Sequence, residues 1–257
     1  MRKKEPDIIR TIIPPYHRLA PYYDQLMDYI DYDIWVEDIL NFIRDDGAVK
    51  TLLDASCGTA SMAIRFARAG LRVSGVDISP EMIGEARKKV DAAGLTDEIA
   101  LVVGDMRDIQ FPEPFDLIIN LHDGLNYLPD PGAVHDFFQH AYDLLRPEGW
   151  LIADVVTPLL CENHFKGYRE IFADETGGYE RVTDYDSHTR MASTIFTFED
   201  SPTALQLEEH LQRAYDLDEV KAMCKASPFK KFQIVDDEDF RPADGSSERF
   251  YVILRKA

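Results

Sequence analysis

The stretch TLLDASCGTAS, residues 51–61, decides the fold. It opens as an apolar strand and closes in a run of small residues, so the chain leaves a sheet and enters a helix through a tight turn. A nucleotide-binding loop of this kind puts glycines at the turn's first, third and fifth positions; here they are Ser56, Gly58 and Ala60. The first glycine permits the tight turn and the others permit close backbone approach. Ser and Ala are the next smallest residues, so a ligand can still come close if Ser56 and Ala60 keep negative φ. Gly58 is then the position expected to need positive φ. The loop reads as a working variant rather than an inactivated one, because acidic residues follow at the next strand ends.

Outward from this loop, strands and helices alternate. VKTLLD (49–54) is a buried strand, SMAIRFARAG (61–70) an amphipathic helix ended by Gly70, and LRVSGVD (71–77) a second strand. SPEMIGEARKKVDAAG (79–94) is a helix with Ser79 as cap and Pro80 at its first position. IALVVGD (99–105), FDLIINL (115–121) and GWLIADVV (149–156) are strands, and residues 132–146 a helix. Such alternation implies right-handed crossovers and a parallel sheet covered on both faces. Upstream, Leu19, Tyr23, Leu26, Ile30, Ile34, Trp35 and Ile39 recur at helical spacing, which predicts one long or two consecutive helices over 16–45.

After residue 157 the period changes. YERVTDYD, RMASTIFTFED and ALQLEEHLQRAYD alternate as half-exposed antiparallel strands; DLDEVKAMCKAS (216–227) returns to a helix, and FKKFQIVDD and ERFYVILRK end the chain as strands. The expected fold class is α/β: a Rossmann-like, doubly wound, mostly parallel seven-stranded sheet with an inserted antiparallel β lid. The expected divisions are a helical cap over 1–45, a core over 46–159, the lid over 160–215, and a C-terminal helix with the last two core strands over 216–257.

Composition narrows the function. The chain has 257 residues, 45% hydrophobic and 29% charged, a globular balance. Its 28 Lys and Arg against 47 Asp and Glu give a formal charge of -19, which repels phosphate backbones and argues against nucleic acid. Cys57, Cys161 and Cys224 are scattered without CxxC spacing, so neither a disulfide framework nor a zinc site is expected, and no metal. MRKKEPDIIR lacks the apolar run of a signal peptide, and no stretch approaches the ~20 apolar residues of a membrane span. A cytoplasmic protein, monomeric or homodimeric and away from the membrane, is the expectation.

Ligands of open parallel sheets bind beyond the carboxyl ends of the strands. Asp54, Asp77, Asp105 and Asn120 end successive strands there. Each alone could be a helix cap or a solvated loop edge; several in register favour a polar ligand along that edge. Asp77 lies 17 residues past Ala60 (77 − 60), the spacing of an acidic residue that bridges ribose hydroxyls. Asp105 can accept from an exocyclic adenine amine, beside Met106.

DASCGTA, VDIS, GDMRDI, FDLIINLHDGLNYL and LLRPEGWLIADV, in this order, resemble the successive motifs of class I S-adenosylmethionine-dependent methyltransferases. YHRLAPYYD resembles the Tyr-containing N-terminal helix of the small-molecule branch, and the likeness covers residues 16 to about 156 with a fitting tail. The resemblance implies S-adenosyl-L-methionine as cofactor and methyl transfer to a small organic N or O nucleophile. It implies that Asp54, Ser56, Cys57, Gly58 and Ala60 wrap the methionine portion, that Asp77 holds the ribose, and that Ile78 and Met82 flank the adenine. Asp105 and Met106 would read the adenine edge, Asn120 and Leu121 lie under the sulfonium, and Tyr16, Tyr23 and Trp35 cover the methionine and acceptor side. The alternatives are a non-catalytic S-adenosylmethionine-binding protein and a NAD-dependent oxidoreductase. The latter wants glycines at 56, 58 and 61, where the chain has Ser56, Gly58 and Ser61.

Methyl transfer is an in-line displacement in which the protein mainly aligns and desolvates the acceptor. A base is needed only where the acceptor still carries its proton. His122, directly after the fourth strand, is the candidate, with Asp123 to orient it or to attract a cationic acceptor; a His that only shapes the loop by hydrogen bonds is the alternative. Asn126 and Tyr127 could line the same wall or pack the following turn. In the lid, Tyr168, Arg181, Arg190, His210, Gln212 and Arg213 could face the acceptor. Alternation puts Glu208, His210, Gln212 and Ala214 on one face of their strand.

Overall fold

The computed structural model describes residues 8–44, 49–174 and 177–257. In chain order the strands are β1 (Ile9–Ile13), β2 (Thr51–Asp54), β3 (Arg72–Asp77), β4 (Ile99–Val103), β5 (Phe115–Asn120), β6 (Leu145–Val156), β7 (Tyr168–Asp174), β8 (Gly177–Asp186), β9 (Met191–Ser201), β10 (Ala204–Arg213), β11 (Lys231–Asp236) and β12 (Arg249–Arg255). The helices are α1 (Tyr23–Leu26), α2 (Tyr32–Phe42), α3 (Ser61–Arg68), α4 (Pro80–Ala93), α5 (Pro131–Leu144), α6 (Pro158–Leu160) and α7 (Leu217–Ala226).

The main sheet has seven strands in the order β11-β12-β6-β5-β2-β3-β4. β12 alone runs antiparallel to its neighbours β6 and β11. The sheet is buried on both faces because its strands are apolar throughout, and alternation sorts their side chains between two cores. Leu53, Ile118, Leu151, Val155, Phe250 and Val252 point to the face covered by Phe137 and Phe138 of α5 and by Val220 of α7. Leu52, Leu117, Ile119, Ile152, Tyr251 and Ile253 point to the opposite face, covered by Val36 and Ile39 of α2 and by Met62, Ala63 and Phe66 of α3. Local signals agree with this packing. Ser79 accepts from the Met82 N–H ahead of Pro80, and Asp216 with Glu219 forms a reciprocal capping box on α7.

The lid is a separate five-stranded sheet, β1-β10-β9-β8-β7. Its antiparallel strands match the expected alternation, and the C-terminal helix and last two strands fall where expected. The N-terminal segment differs. Residues 9–13 form a strand that pairs parallel to β10 on the lid's edge, so the region read as a helical cap contributes to the lid. Among the described residues the helical stretch over 16–45 is broken into a 3₁₀ turn at Ala20–Tyr22, the short α1, and α2, whose first turn Asp31 caps by accepting from the Asp33 and Ile34 N–H groups. Asp45, the end of that expected helix, lies outside the described residues. Among the described residues no helix is long and apolar enough to cross a membrane.

Candidate active site

A cavity of about 270 Å³ opens at the carboxyl edge of β2, β3 and β5, between the β2–α3 loop and the aromatic N-terminal segment. Asp54, Ser56, Cys57, Gly58, Asp77, Ile78, Met82, Asp105, Met106, Leu121, His122, Tyr16, Tyr23 and Tyr127 all line it.

The loop is built on backbone bonds. Cys57 N–H donates to the Val76 carbonyl (2.9 Å) and Ala60 N–H to the Cys57 carbonyl (2.8 Å). Gly58 has φ +51, as expected. Ala60 does not keep negative φ: it adopts +66, a conformation that costs an L-residue roughly 1–2 kcal/mol. Its fully buried methyl packs into the α3-side core, which offsets that strain, and Ala60 lies behind the loop rather than on the cavity wall. Gly124 is needed for space: a Cβ there would lie 2.5 Å from the Ser56 hydroxyl. Thr59 donates to Asp24 (2.5 Å), and Lys89 pairs with Asp24 (2.6 Å), tying α1 over the loop.

Asp77 accepts from Gly58 N–H and Ser79 N–H, both at 2.9 Å. Burial pushes its carboxyl above the usual range, and that of Asp54 up to about 7. Met82 is buried and Ile78 is exposed at the cavity rim. Asp105 is engaged by Arg107, whose Nη2 lies at 2.6 Å, and these bonds hold its carboxyl below the usual range.

Beyond β5 the chain turns through His122 and Asp123, with φ +59 and +67. Trp35 does not line the cavity: it stacks behind His122 at 4.5 Å and 15°, while Tyr32 meets the imidazole edge-on. Burial and the nearby Arg249 charge lower the imidazole to about 4. Its Nε2 is buried without a hydrogen-bond partner among the described residues. Asp123 does not orient this ring. Its carboxylate takes the Arg249 guanidinium, and its N–H donates to Asp154 (3.1 Å). Arg249 also bonds Asp154, whose side chain is fully buried, and passes over the Trp35 ring. Arg249 and Asp154 were not singled out in the sequence, although an Asp within the apolar run GWLIADVV is a signal that a buried partner must exist.

Asn120 is fully buried beneath the loop, its amide donating to Ser56 Oγ (3.0 Å) and facing Met106 sulfur (3.2 Å). Asn126 is a strut instead of a wall. Its amide donates to the Val156 and Arg213 carbonyls, and its oxygen accepts from Val156 N–H.

On the lid side, Tyr16 and Tyr127 share a 2.6 Å hydroxyl bond, and Tyr127 meets His210 Nδ1 at 3.0 Å. Burial raises both phenols. His210 and Glu208 are buried on one strand face, with Gln212 half-buried beside them. Tyr168 donates to Glu170, and Arg181 lies over the Tyr168 ring; neither side chain lines the cavity, nor does Gln212. Arg190 and Arg213 pair with Glu219 and so pin the lid to α7 rather than facing an acceptor.

The sequence model of a family described as "Methyltransferase domain" matches residues 52–149, the span from β2 into β6. A Bacillus subtilis (strain 168) protein that carries a methyltransferase name, YqeM, is 29% identical over 94% of this chain and 97% of its own length. A solved S-adenosylmethionine-dependent methyltransferase from Clostridium acetobutylicum ATCC 824 is similar at TM-score 0.78 and 22% identity, over 94% of this chain and 99% of that one. The sugar N-methyltransferase KedS8 of Streptoalloteichus sp ATCC 53650 is similar at TM-score 0.72 and 17% identity, over 100% and 99%. The matched span is a methyltransferase domain, and the fold is the one that solved S-adenosylmethionine-dependent methyltransferases share, with S-adenosyl-L-methionine as the cofactor that fits it.

Proposed function

We propose that this enzyme methylates a nitrogen or oxygen of a small polar acceptor, held between the β5 end and the lid sheet. The observation that carries this reading is that His122 lines the cavity together with Tyr16 and Tyr127, and that its buried Nε2 has no hydrogen-bond partner among the described residues. An acceptor bearing one polar hydrogen would pair with it, and a chain of charge -19 repels a nucleic-acid acceptor. The similarity to a sugar N-methyltransferase makes amino sugars the first acceptor class to test.

The residues fit the cofactor. Asp77 is an acceptor-only carboxylate with about four lone-pair sites, two of them used by backbone N–H groups and the rest available to ribose hydroxyls. Ile78 and Met82 would flank the adenine, and Asp54 would face the methionine ammonium. The cofactor supplies the methyl group and a sulfur leaving group; the protein aligns the acceptor and excludes water.

An imidazole at about 4 is neutral at physiological pH but a weak base. His122 is therefore assigned to orienting the acceptor. His122→Gln should raise the apparent acceptor KM about 3–10-fold, the worth of one hydrogen bond, equally across pH 6 to 9. A wild-type acidic limb near ~6.5 that disappears in His122→Gln would instead make it the base.

The overall reading is tested by incubating cell extract and an amino-sugar panel with methyl-labelled S-adenosylmethionine and identifying labelled products by mass spectrometry. S-adenosylhomocysteine should stabilise the fold by about 2.7 kcal/mol at a hundredfold excess over its Kd. Label appearing in protein or nucleic acid, with no small-molecule product, would overturn the reading.

A further inference from the structure

We propose that the proton released by the acceptor leaves through Tyr16 and Tyr127 to His210, which Glu208 holds in place from the lid strand. This deepens the small-acceptor reading and rests on it.

The geometry is a continuous chain of polar groups that starts on the cavity wall and ends inside the lid. Tyr16 and Tyr127 line the cavity and touch at 2.6 Å. Tyr127 meets His210 Nδ1 at 3.0 Å, and the Tyr16 and His210 rings stand edge-on, 4.6 Å apart. His210 Nε2 faces Glu208 Oε2 at 3.5 Å, with side-chain exposures of 3% and 0%. The other Glu208 oxygen accepts from the Arg18 and Leu19 N–H groups, which secures the N-terminal segment. That anchoring role uses one oxygen. It leaves unexplained why a second carboxylate oxygen and an imidazole nitrogen, both buried and without other hydrogen-bond partners, are turned towards each other.

Proton removal explains both. Neutral His210 accepts from Tyr127 at Nδ1, so its proton sits on Nε2 towards Glu208. In the reaction the acceptor's lone pair forms the new bond to the methyl carbon, and the carbon–sulfur pair stays on sulfur. The acceptor's proton passes to Tyr16 oxygen, the Tyr16 proton to Tyr127, and the Tyr127 proton to Nδ1. The phenols end as they began, and the positive charge lost from sulfonium reappears on His210 beside Glu208. Burial raises both phenols, so they carry protons as neutral groups and do not store anions. The groups around the relay are Tyr16 on the N-terminal segment, Tyr23 of α1 edge-on to it, Phe196 of β9, Glu208 on His210's own strand, and Asp77, Asp123 and Arg181 acting on Tyr127. The Arg18 guanidinium is turned outward to Asp200. His210 and Glu208 touch no substrate and act as positioning residues through the phenols.

The test uses Glu208→Gln, His210→Gln and Tyr127→Phe. Glu208→Gln keeps an oxygen for the Arg18 and Leu19 N–H groups, and Tyr127→Phe leaves the lid core untouched should Glu208→Gln fail to fold. In protein labelled with ¹⁵N-histidine and saturated with S-adenosylhomocysteine, Tyr127→Phe should displace the His210 Nδ1 resonance. With the acceptor found in the screen above, all three should lower kcat by about 10²–10⁴ while S-adenosylhomocysteine affinity stays within threefold. The loss should shrink at high pH, where the acceptor ionises unaided. An unmoved Nδ1 resonance, or kcat within threefold of wild type in His210→Gln, overturns the relay. The absence of any small-molecule product overturns the acceptor reading alone, and the ¹⁵N result then still decides whether the chain of bonds exists.

Discussion

Arg249→Ala is expected to destabilise the fold by about 3–5 kcal/mol, because it leaves a buried carboxylate without its counter-charge. Asp154 has no solvent exposure, and its remaining polar partner is the Asp123 N–H. Asp123 loses its guanidinium as well, and Asp237, 3.8 Å from Arg249, loses a weaker partner. A folded domain holds only about 5–15 kcal/mol in total, so the variant should lose roughly a fifth or more of its stability. The effect has a pH signature. Burial raises the Asp154 carboxyl to about 7 even beside Arg249, and without the guanidinium it stays protonated in the folded state to higher pH still, where the unfolded chain has released that proton. The folded state then binds more protons, and stability falls as pH rises from about 4 upward. Urea titrations of wild type and Arg249→Ala at pH 5 and 8 test this. The deficit should be larger at pH 8. Arg249→Met with Asp154→Asn should recover most of the loss, since removing both charges leaves neither stranded. A deficit below about 1 kcal/mol would reduce the network to the worth of a surface pair. The same network carries the β5–α5 turn: with Asp123 released, the stack of His122 on Trp35 loses its support.

The contrast between what the sequence exposed and what it hid follows from the range of the interactions. Alternation within single strands is local, so the split of Leu117 and Ile119 from Ile118, or of Tyr251 and Ile253 from Phe250 and Val252, follows from period two alone. The same holds for Glu208 and His210 on the buried face of β10. β1 was hidden because IRTII is five residues long, is followed by Pro14 and Pro15, and gains its structure only by pairing with β10 nearly two hundred residues later. Ala60 misled because its backbone strain is balanced by burial of a methyl that no local pattern announces. Asn126 looked like a wall residue because its position after β5 was visible, while its partners Val156 and Arg213 were not. Asp123, Asp154 and Arg249 come from three separated segments. The mismatch of one Asp in an apolar strand signalled that a partner exists, but not which one.

Asp77→Ala should weaken S-adenosylhomocysteine binding at least tenfold, and by about 10²–10⁴ if two ribose hydroxyls each lose a charge-assisted bond of ~1.5–3 kcal/mol. The structure adds a second consequence. Asp77 also accepts from Gly58 and Ser79 N–H, so the alanine variant orphans the Gly58 donor and should lose roughly 1–3 kcal/mol of stability without ligand. Asp77→Asn separates the two effects in part: its one oxygen can still accept from the Gly58 N–H, while its NH₂ can accept from neither the Ser79 N–H nor a hydroxyl. Asn should therefore keep more of the ligand-free stability than Ala and still lose most of the affinity. Asp54 imposes a pH dependence on the same measurement. Its carboxyl, raised to about 7 by burial, binds a proton in the folded state that the unfolded chain has released above pH ~4. Stability without ligand should then decline between those two values and level off above 7. A cationic methionine ammonium favours the ionised form, so affinity should rise with pH through about 7 in the wild type and in Asp77→Asn alike. Calorimetric titrations at pH 6 and 8 on wild type, Asp77→Asn and Asp54→Asn check all of this. Affinity unchanged in Asp77→Asn would confine Asp77 to holding the loop, and a pH dependence that persists in Asp54→Asn would have to come from another group.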